Sequence, residues 1–307
     1  MEKEKKKIKK VGILRGMAGD QYESSLKRGG QLISHILENL KNKYKPVDIF
    51  VDRNYIWHYN GVPVNPGDLV RKVDVVWNTS HPSLSNVLES LSIPSVGVSN
   101  FSSMLEKNRE MLREHAKKIG VNMSRHILIP LYQKDFDGPK DKFIIKKAKE
   151  IFEKFGAPWI VKSLTPDISM GVHLAKNYSE LIGAIADGVN HKKSILVEEF
   201  IIGQSASFHS VPSFRGEDIY VFFPKSLVSA EKEKISGTVK DLHNHVDAKH
   251  YLKSDWVLHP RGNLFLTGID LHPNFNKESH LEKSCASVGA DMHHLVEHIL
   301  ENALDSR

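Results

Sequence analysis

The sequence has little of the chemistry that marks several common classes of protein. Its 307 residues include a single cysteine, Cys285, which excludes a framework of disulfide bonds. No apolar run approaches the ~18 residues that cross a bilayer, and the N-terminal stretch MEKEKKKIKK lacks the apolar segment and cleavage site of a signal peptide. We therefore expect a cytoplasmic protein with no membrane partner.

The signature motifs of several enzyme classes are missing as well. The chain contains no Walker A loop, GxGxxG, CxxC, GxSxG or HExxH, so P-loop, dinucleotide-binding, zinc and hydrolase chemistry lack their usual residues. Histidine is abundant, with 17 residues, and the pairs His243/His245 and His293/His294 raise the question of a metal site. Surface or capping histidines are the favoured interpretation, since residues i and i+2 of a helix point apart.

Positive charge is concentrated in residues 1–10, which form a lysine-rich tail. One interpretation is an arm that binds nucleic acid. No aromatic side chain interleaves with these lysines, so a solvated terminus is favoured and no nucleic-acid partner is expected.

Strand and helix patterns alternate over residues 11–100, and this alternation predicts an α/β domain with a parallel sheet. An Asn60-Gly61 pair predicts a hairpin within it. The predicted strands are Val11–Gly16, Val47–Asp52, Val73–Asn78 and Pro94–Ser99. The apolar face predicted for the first helix consists of Leu26, Ile33, Ile36, Leu37 and Leu40.

Two further segments follow this domain. Residues 101–190 are predicted to form a central α+β lobe that begins with one helix over Ser102–Lys118. Residues 191–307 are predicted to form a C-terminal lobe that is rich in β structure and ends in an amphipathic helix.

The adjoining strand patterns YLKSDWVLHP and NLFLTGID carry a candidate site. A two-residue loop at Arg261-Gly262 would pair Asp255 with Gly268 and Lys253 with Asp270, all on one face. Two carboxylates on a diagonal can share a divalent cation, and a lysine beside them suits a metal-bound phosphate. The alternative is an exposed face with an ordinary Lys–Asp pair, and a shift of one residue in register would separate the acids.

The order of motifs from Val11 to Leu304 resembles that of the D-alanine–D-alanine ligases of the ATP-grasp superfamily. GILRGMAGDQYESSLKRG is similar to the family's opening strand, loop and helix, and WIVKSLTPDISMGV to its Val-Lys-Pro strand and phosphate loop. ILVEEFIIG resembles its adenine-binding strand, KSDWVL its Arg-x-Asp strand, and GIDLHPNFNKES its Glu-x-Asn-x-x-Pro-Gly motif. The resemblance implies an ATP-grasp fold, α/β and α+β, with the nucleotide between the central and C-terminal lobes.

The resemblance also implies roles for single residues. Glu23 matches the glutamate that holds the ammonium group of the first D-alanine, and Lys253 matches the arginine that stabilises the tetrahedral oxyanion. Ser279 matches the serine near the second substrate's carboxylate, and Asn274 the glycine whose backbone N–H donates. The implied ATP contacts are Arg109, Lys162, Ser169, Gly171, Glu198, Glu199, Phe200 and Ile201. The implied ligands of Mg²⁺, for which Mn²⁺ is a substitute, are Asp255 and Asp270.

The implied reaction joins a carboxylate to an amine through an acyl phosphate, in the synthesis of peptidoglycan precursors. Its substrates would be ATP and D-alanine or a related amino acid, and a homodimer is one option for the assembly.

The departures from the family pattern fall on ligand positions. Gly268 stands where the family has a glutamate that bridges two Mg²⁺ ions, Asp270 replaces an asparagine, and Lys253 replaces an arginine. Ser205 replaces a ribose-binding glutamate, and Asp167 brings negative charge into the phosphate loop. The alternative hypothesis is therefore a divergent ATP-grasp protein with weak or lost ligase activity, or with a different amino-acid or peptide substrate.

Overall fold

The structure is a computed structural model that describes residues 8–305 except residues 20, 135, 165–169, 225–226 and 228. Its contacts divide the chain into two compact units. Unit 1 comprises the described parts of 1–121, 206–255 and 268–307, and unit 2 comprises 122–205 and 256–267. These units are defined by contacts within the chain and do not test functional lobes. The division into functional lobes at residues 100 and 190 therefore stays a prediction.

A six-stranded sheet in the order β4-β3-β2-β1-β5-β6 forms the first part of unit 1. The strands β1, β2, β5 and β6 are rich in apolar residues and pair in parallel. The Asn60-Gly61 turn joins β3 to β4 as predicted. The strands are β1 (Lys9–Gly16), β2 (Tyr44–Val51), β3 (Trp57–Tyr59), β4 (Val62–Val64), β5 (Val75–Asn78) and β6 (Ser95–Val96). The helical elements are α1 (Tyr22–Asn39), a 3₁₀ helix (Pro66–Arg71) and α2 (Ser83–Ser90).

The apolar face of α1 is rotated from the predicted one. Its buried residues are Ser25, Gly29, Leu32 and Ile36, at spacings of three and four, whereas Leu37 is 52% exposed. Leu37 follows Ile36 by about 100° around the helix axis, so it lies off the buried stripe. The prediction that Leu37 belongs to the buried face was therefore wrong.

The predicted single helix over Ser102–Lys118 is two helices, α3 (Asn100–Lys107) and α4 (Arg109–Lys118). Asn108 leaves the helical conformation at φ −112° and ψ 100°, and its side chain accepts a hydrogen bond from the Met111 N–H at 3.0 Å. An asparagine side chain readily accepts a hydrogen bond from a backbone N–H that has no partner within its helix. Asn108 therefore ends α3 and caps α4. The chain after α4 turns at Gly120, which has φ +72°.

Unit 2 is built on a four-stranded sheet in the order β10-β9-β11-β8. The neighbouring strands are antiparallel, and the two helices of this unit bury apolar faces in a common core with the sheet. The elements are β7 (Asn122–Met123), β8 (His126–Ile129), α5 (Lys140–Lys154), β9 (Trp159–Ser163), β10 (His173–Ala175), α6 (Tyr178–Asn190) and β11 (Ile195–Glu199).

A five-stranded sheet in the order β13-β12-β14-β15-β7 follows, and β14 and β15 run through both units. The helix α8 was not predicted, because its short stretch lacks a long apolar stripe. The elements are β12 (Gln204–Pro212), a 3₁₀ turn (Phe214–Gly216), β13 (Ile219–Phe222), α7 (Ser229–His245), β14 (Leu252–Leu258), β15 (Leu264–Asp270), α8 (His280–Ser287) and α9 (Met292–Asp305).

The turn between β14 and β15 is one residue longer than predicted. The His259 N–H donates to the Asn263 carbonyl at 2.9 Å, and the Gly262 N–H donates to the His259 carbonyl at 2.8 Å. The loop is therefore residues 260–262, with Gly262 in the left-handed region at φ +79°, a conformation that glycine adopts at no steric cost. The predicted two-residue loop was wrong, and the pairing next to the turn moves by one residue.

Two glycines of unit 1 make a matched test of this packing. A Cβ at Gly16, which has φ +92°, would lie 2.3 Å from the Val51 carbonyl oxygen, whereas one at Gly30 in α1 would meet nothing within 4 Å. We expect Gly16→Ala to lower the free energy of unfolding by about 1–3 kcal/mol, and Gly30→Ala to raise it by about 0.5–1 kcal/mol. Urea unfolding measures both, and a Gly16→Ala variant as stable as the parent would contradict the structure.

Candidate functional site

In unit 2, Lys162 and Glu198 face one another across neighbouring antiparallel strands. Lys162 of β9 lies opposite Leu196 of β11, so Glu198, two residues along, shares its face of the sheet. The Lys162 Nζ lies 2.7 Å from Glu198 Oε2, and the Ser124 hydroxyl donates to the other carboxylate oxygen at 3.4 Å. The Glu198 side chain is 7% exposed and that of Lys162 35%, so a partly exposed lysine neutralises a buried acid.

The polar groups at the end of β11 form hydrogen bonds within unit 2. Arg125 makes a bidentate pair with the Glu199 carboxylate at 2.7 and 2.9 Å. The N–H groups of Glu199 and Phe200 donate to the carbonyls of Arg125 and Pro158 at 2.9 and 3.0 Å. These two N–H groups are therefore already hydrogen-bonded. An adenine base could contact this segment through the half-buried Phe200 and Ile201 side chains or through the remaining backbone groups.

The end of the predicted phosphate loop is tied to α6. Ser169 lies outside the described residues, and Gly171 is exposed. The Gly171 N–H donates to Asp187, which His173 and His191 approach at 2.8 and 3.1 Å, and these partners lower the pKa of Asp187. Asp187 was not predicted as part of a site, because an acid near the end of an amphipathic helix is usually a solvated residue.

In unit 1, Lys253 and Asp255 of β14 form an ion pair on one face of the strand. The Lys253 Nζ donates to Asp255 Oδ2 at 2.8 Å, and the Ser207 hydroxyl donates to Asp255 Oδ1. Both oxygens of this carboxylate therefore already have a donor. The interaction fixes the side-chain direction of Asp255, as a site that positions a ligand requires.

Asp270, at the end of β15, belongs to the same cluster of charges although the pairing beside the turn is shifted by one residue. The alternation of β15 is broken between the turn and Asp270, since its buried residues Leu266 and Ile269 are three apart instead of two, and this break offsets the shift. Burial raises the pKa of Asp270, and the nearby carboxylate of Asp255 raises it further. A hydrogen bond from the His272 N–H at 2.9 Å and the positive charges of Lys253 and Arg28 oppose this rise. The structure thus brings together the two acids and the lysine that the strand pattern singled out.

Arg28 and Glu106 extend the cluster, and the sequence did not single them out. Arg28 donates from Nη2 to the Thr79 carbonyl at 2.9 Å, and its buried Nε has no hydrogen-bond partner among the described residues. Glu106 accepts from the Leu271 N–H at 2.9 Å, one residue beyond Asp270. Burial raises the pKa of Glu106 to about 7, with Asp270 adding to the rise and Arg28 opposing it.

A row of hydrogen-bonded rings approaches the same cluster. The Tyr251 hydroxyl lies 2.7 Å from Nδ1 of His209, whose Nε2 lies 2.7 Å from Nδ1 of His280. Burial, together with His280 and Lys253, lowers the pKa of His209 to about 3. The row is therefore uncharged at neutral pH and adds no charge to the cluster.

Four other residues matched to the family lie at helix ends or in the loop after β15. Glu23 is exposed in the first turn of α1, and Arg109 is the half-buried first residue of α4. The Asn274 side chain accepts from the Asn276 N–H at 3.0 Å, and the Ser279 hydroxyl caps α8 by accepting from the Glu282 N–H at 3.2 Å. Asn274 and Ser279 thus have structural roles that a substrate-binding role would have to share.

The two departures at Gly268 and Ser205 are both sterically open. A Cβ at Gly268 would meet nothing within 4 Å, and Ser205 is exposed. Packing therefore does not require the small residues found there, so the departures that the resemblance implies at these positions are differences in chemistry rather than in packing.

The chain is similar in sequence to known D-alanine–D-alanine ligases. A family model described as the D-ala D-ala ligase C-terminus matches residues 116–211. A D-alanine–D-alanine ligase of Legionella pneumophila is 26% identical over 221 residues, which cover 62% of this chain and 58%, under two thirds, of that ligase. A D-alanine–D-alanine ligase of Christiangramia forsetii is 21% identical over 97% of this chain and 99% of its own length.

The fold agrees with the same group of proteins. A crystal structure of D-alanine–D-alanine ligase from Bacillus anthracis complexed with ATP superposes with a TM-score of 0.68 at 18% identity, over 97% of this chain and 98% of that one. The chain therefore has the ATP-grasp fold. By the family model and the curated relatives, the chain is similar in sequence to the D-alanine–D-alanine ligases.

Among the described residues, no helix is both long enough and apolar enough to span a membrane.

The raised pKa of Glu106 predicts a pH dependence of stability. Because its pKa rises from an ordinary 4.5 to about 7 on folding, the stability it contributes is fully present below pH 4.5 and is lost as the pH rises through 7. The loss is on the order of 3 kcal/mol. Glu106→Gln keeps an acceptor for the Leu271 N–H but cannot ionise, so we expect a smaller fall in stability between pH 5 and pH 8. Urea unfolding of both proteins at the two pH values measures this, and equal slopes would refute the assignment.

Proposed function

We propose that the protein is an ATP-dependent carboxylate–amine ligase of the D-alanine–D-alanine type that supplies peptidoglycan precursors. The observation that carries the proposal is the coupled cluster of Lys253, Asp255 and Asp270. These residues match the family's oxyanion and metal positions, on strands whose order and fold match the family. A cytoplasmic location agrees with the use of ATP, and a homodimer stays a prediction for a measurement of mass in solution.

The proposed reaction has two steps. An oxygen of the first substrate's carboxylate attacks the γ-phosphorus of ATP, the bond to the bridging oxygen breaks, and ADP leaves. The amine of the second substrate then attacks the carbonyl carbon of the acyl phosphate. Inorganic phosphate leaves with the attacking carboxylate oxygen, and the amine loses a proton. Such chemistry depends on positioning and on positive charge at the phosphate oxygens.

Each matched side chain has a role in this proposal. Lys162 and Arg109 would neutralise the phosphates, and Lys253 would stabilise the oxyanion of the tetrahedral intermediate. Glu23 would hold the ammonium group of the first substrate, and Ser279 the carboxylate of the second. Lys253 lacks the planar fork of an arginine, so it would act as a point charge.

The donor set of unit 1 suits one Mg²⁺ ion rather than two. Asp255 and Asp270 are hard oxygen donors whose mutual repulsion a divalent cation would relieve. No third His, Cys, Asp or Glu forms a compact ligand group with them in the part of the chain that the structure describes, and Gly268 offers no ligand. Mg²⁺, or Mn²⁺ in its place, would supply charge stabilisation on the phosphate oxygens when bound.

Phosphate release from ATP tests the proposal. We expect release that requires both D-alanine and Mg²⁺, and Asp255→Asn should lower it by at least about a hundredfold, because the variant keeps an acceptor for Ser207 but loses the charge. Asp241→Asn, an exposed change on α7, is the matched control and should keep full activity. Release that is independent of D-alanine, or equal in the two variants, would overturn the proposal.

A second candidate function is a nucleotide- or peptide-binding relative with weak turnover, or a ligase for a different amino acid. The observation that favours it is Gly268, which removes a carboxylate from a position with open space. The internal pairing of Lys162 with Glu198 also means that ATP phosphates must compete with a carboxylate for that lysine.

Substitution at Gly268 separates the two candidates. If the missing acid limits turnover, Gly268→Glu should raise D-alanine-dependent phosphate release by about tenfold or more, because it restores a metal ligand. Gly268→Gln has the same size without the charge and should leave the rate unchanged. A fall in rate in both variants would show that Gly268 belongs to a different working arrangement. Nucleotide binding without release, seen as a thermal shift, would support the second candidate.

A further inference from the structure

A compact group of metal-binding side chains lies at the start of α9, outside the cluster described above. Potential ligand atoms of Asp291, His293 and His294 all lie within 4.8 Å of one another. His293 Nε2 is 4.0 Å from Asp291 Oδ2, and the two imidazole ring centroids are 4.2 Å apart. It is the one group of three such side chains at this spacing within the described ranges.

The backbone of this group is held in place by packing. Met292 and Leu295, the neighbours of the two histidines along α9, are buried in the main core of unit 1. The first turn of the helix is therefore fixed, and His293 and His294 vary mainly in their side-chain torsions. The partial positive charge of a helix N-terminus opposes a cation, but Asp291 supplies a full negative charge at the same place.

The surroundings favour a cation as well. Asp291 and His293 open on a groove that is also lined by three further acids, Glu38, Glu278 and Glu282, and by two lysines, Lys277 and Lys283. His35 of α1 lines this groove as well. Burial lowers the pKa of His35, and the nearby His293 lowers it further. The buried Nε2 of His35 has no hydrogen-bond partner among the residues described.

We propose that Asp291, His293 and His294 form a binding site for a divalent transition-metal ion such as Zn²⁺. Two imidazoles and one carboxylate are ligands that suit Zn²⁺, Co²⁺ or Ni²⁺, whereas Mg²⁺ prefers oxygen donors alone. Three protein ligands leave an open position for water or a further donor. The site is independent of the proposed ligase reaction.

Binding requires a small closure of the side chains. Ligand atoms around a tetrahedral Zn²⁺ lie roughly 3.4 Å apart, so the present spacings, all within 4.8 Å, must shorten by about 1.4 Å at most. His294 Nδ1 now accepts a hydrogen bond from the Asp291 N–H at 3.2 Å. A metal ion bound at His294 Nδ1 would occupy the lone pair that accepts this hydrogen bond. A metal ion bound at Nε2 would leave Nδ1 protonated and unable to accept. The hydrogen bond is therefore lost in both cases.

Zn²⁺ titration of the tag-free, EDTA-treated protein by calorimetry tests the site. We expect one Zn²⁺ per chain at this site, and His293→Ala and His294→Ala should each raise its Kd by at least about tenfold, with Asp291→Asn acting in the same direction. His58→Ala is the matched control, because His58 faces one carboxylate, Asp52 at 3.3 Å, and it should leave the affinity unchanged.

Co²⁺ absorption gives a second readout that a folding defect would not imitate. The parent protein and His58→Ala should show the intense visible bands of four-coordinate Co²⁺, and His293→Ala should lose them while its far-UV circular dichroism is retained. Zn²⁺ binding that is equal in the parent and in both histidine variants, or no saturable binding in the parent, would overturn the proposal.

Discussion

The charge balance of unit 1 depends on two carboxylates that lie close together beside two positively charged side chains. Burial raises the cost of ionising Asp270, and the nearby carboxylate of Asp255 adds to that cost. Lys253, Arg28 and well-placed donors offset it, and these partners come from different elements of unit 1. A third acid at Gly268 would upset this balance unless a divalent cation were present. The loss of one family acid and the gain of Asp270 therefore make a consistent set of charges.

Unit 2 shows the same tendency to pair charges within itself. Lys162 neutralises Glu198, Arg125 clamps Glu199, and two histidines approach Asp187 at the loop end. Each of these pairs orders a segment in or beside those that the resemblance matches to nucleotide-binding positions. Under the proposed function, a nucleotide would have to compete with a partner that each side chain already has.

Patterns local in sequence predicted most of the fold, and contacts distant in sequence explain what was missed. Apolar runs located the main strands, and Asn60-Gly61 located its hairpin. Asn108 was missed because a cap inside a polar helical pattern looks like surface. Arg28 and Glu106 were missed because only the fold brings them beside Asp270. The strand pattern predicted that Lys253, Asp255 and Asp270 lie together. They do share one charge cluster, although the predicted turn between their strands was wrong.

In the proposed reaction, a substrate carboxylate attacks the γ-phosphorus of ATP at the site that contains this charge cluster. The most direct measurement uses D-alanine labelled with ¹⁸O in its carboxylate and follows the released phosphate by ³¹P NMR or mass spectrometry. An acyl phosphate intermediate places one labelled oxygen in each phosphate, because the attacking oxygen leaves with it. Unlabelled phosphate would mean that water attacks ATP, and this result would contradict the account.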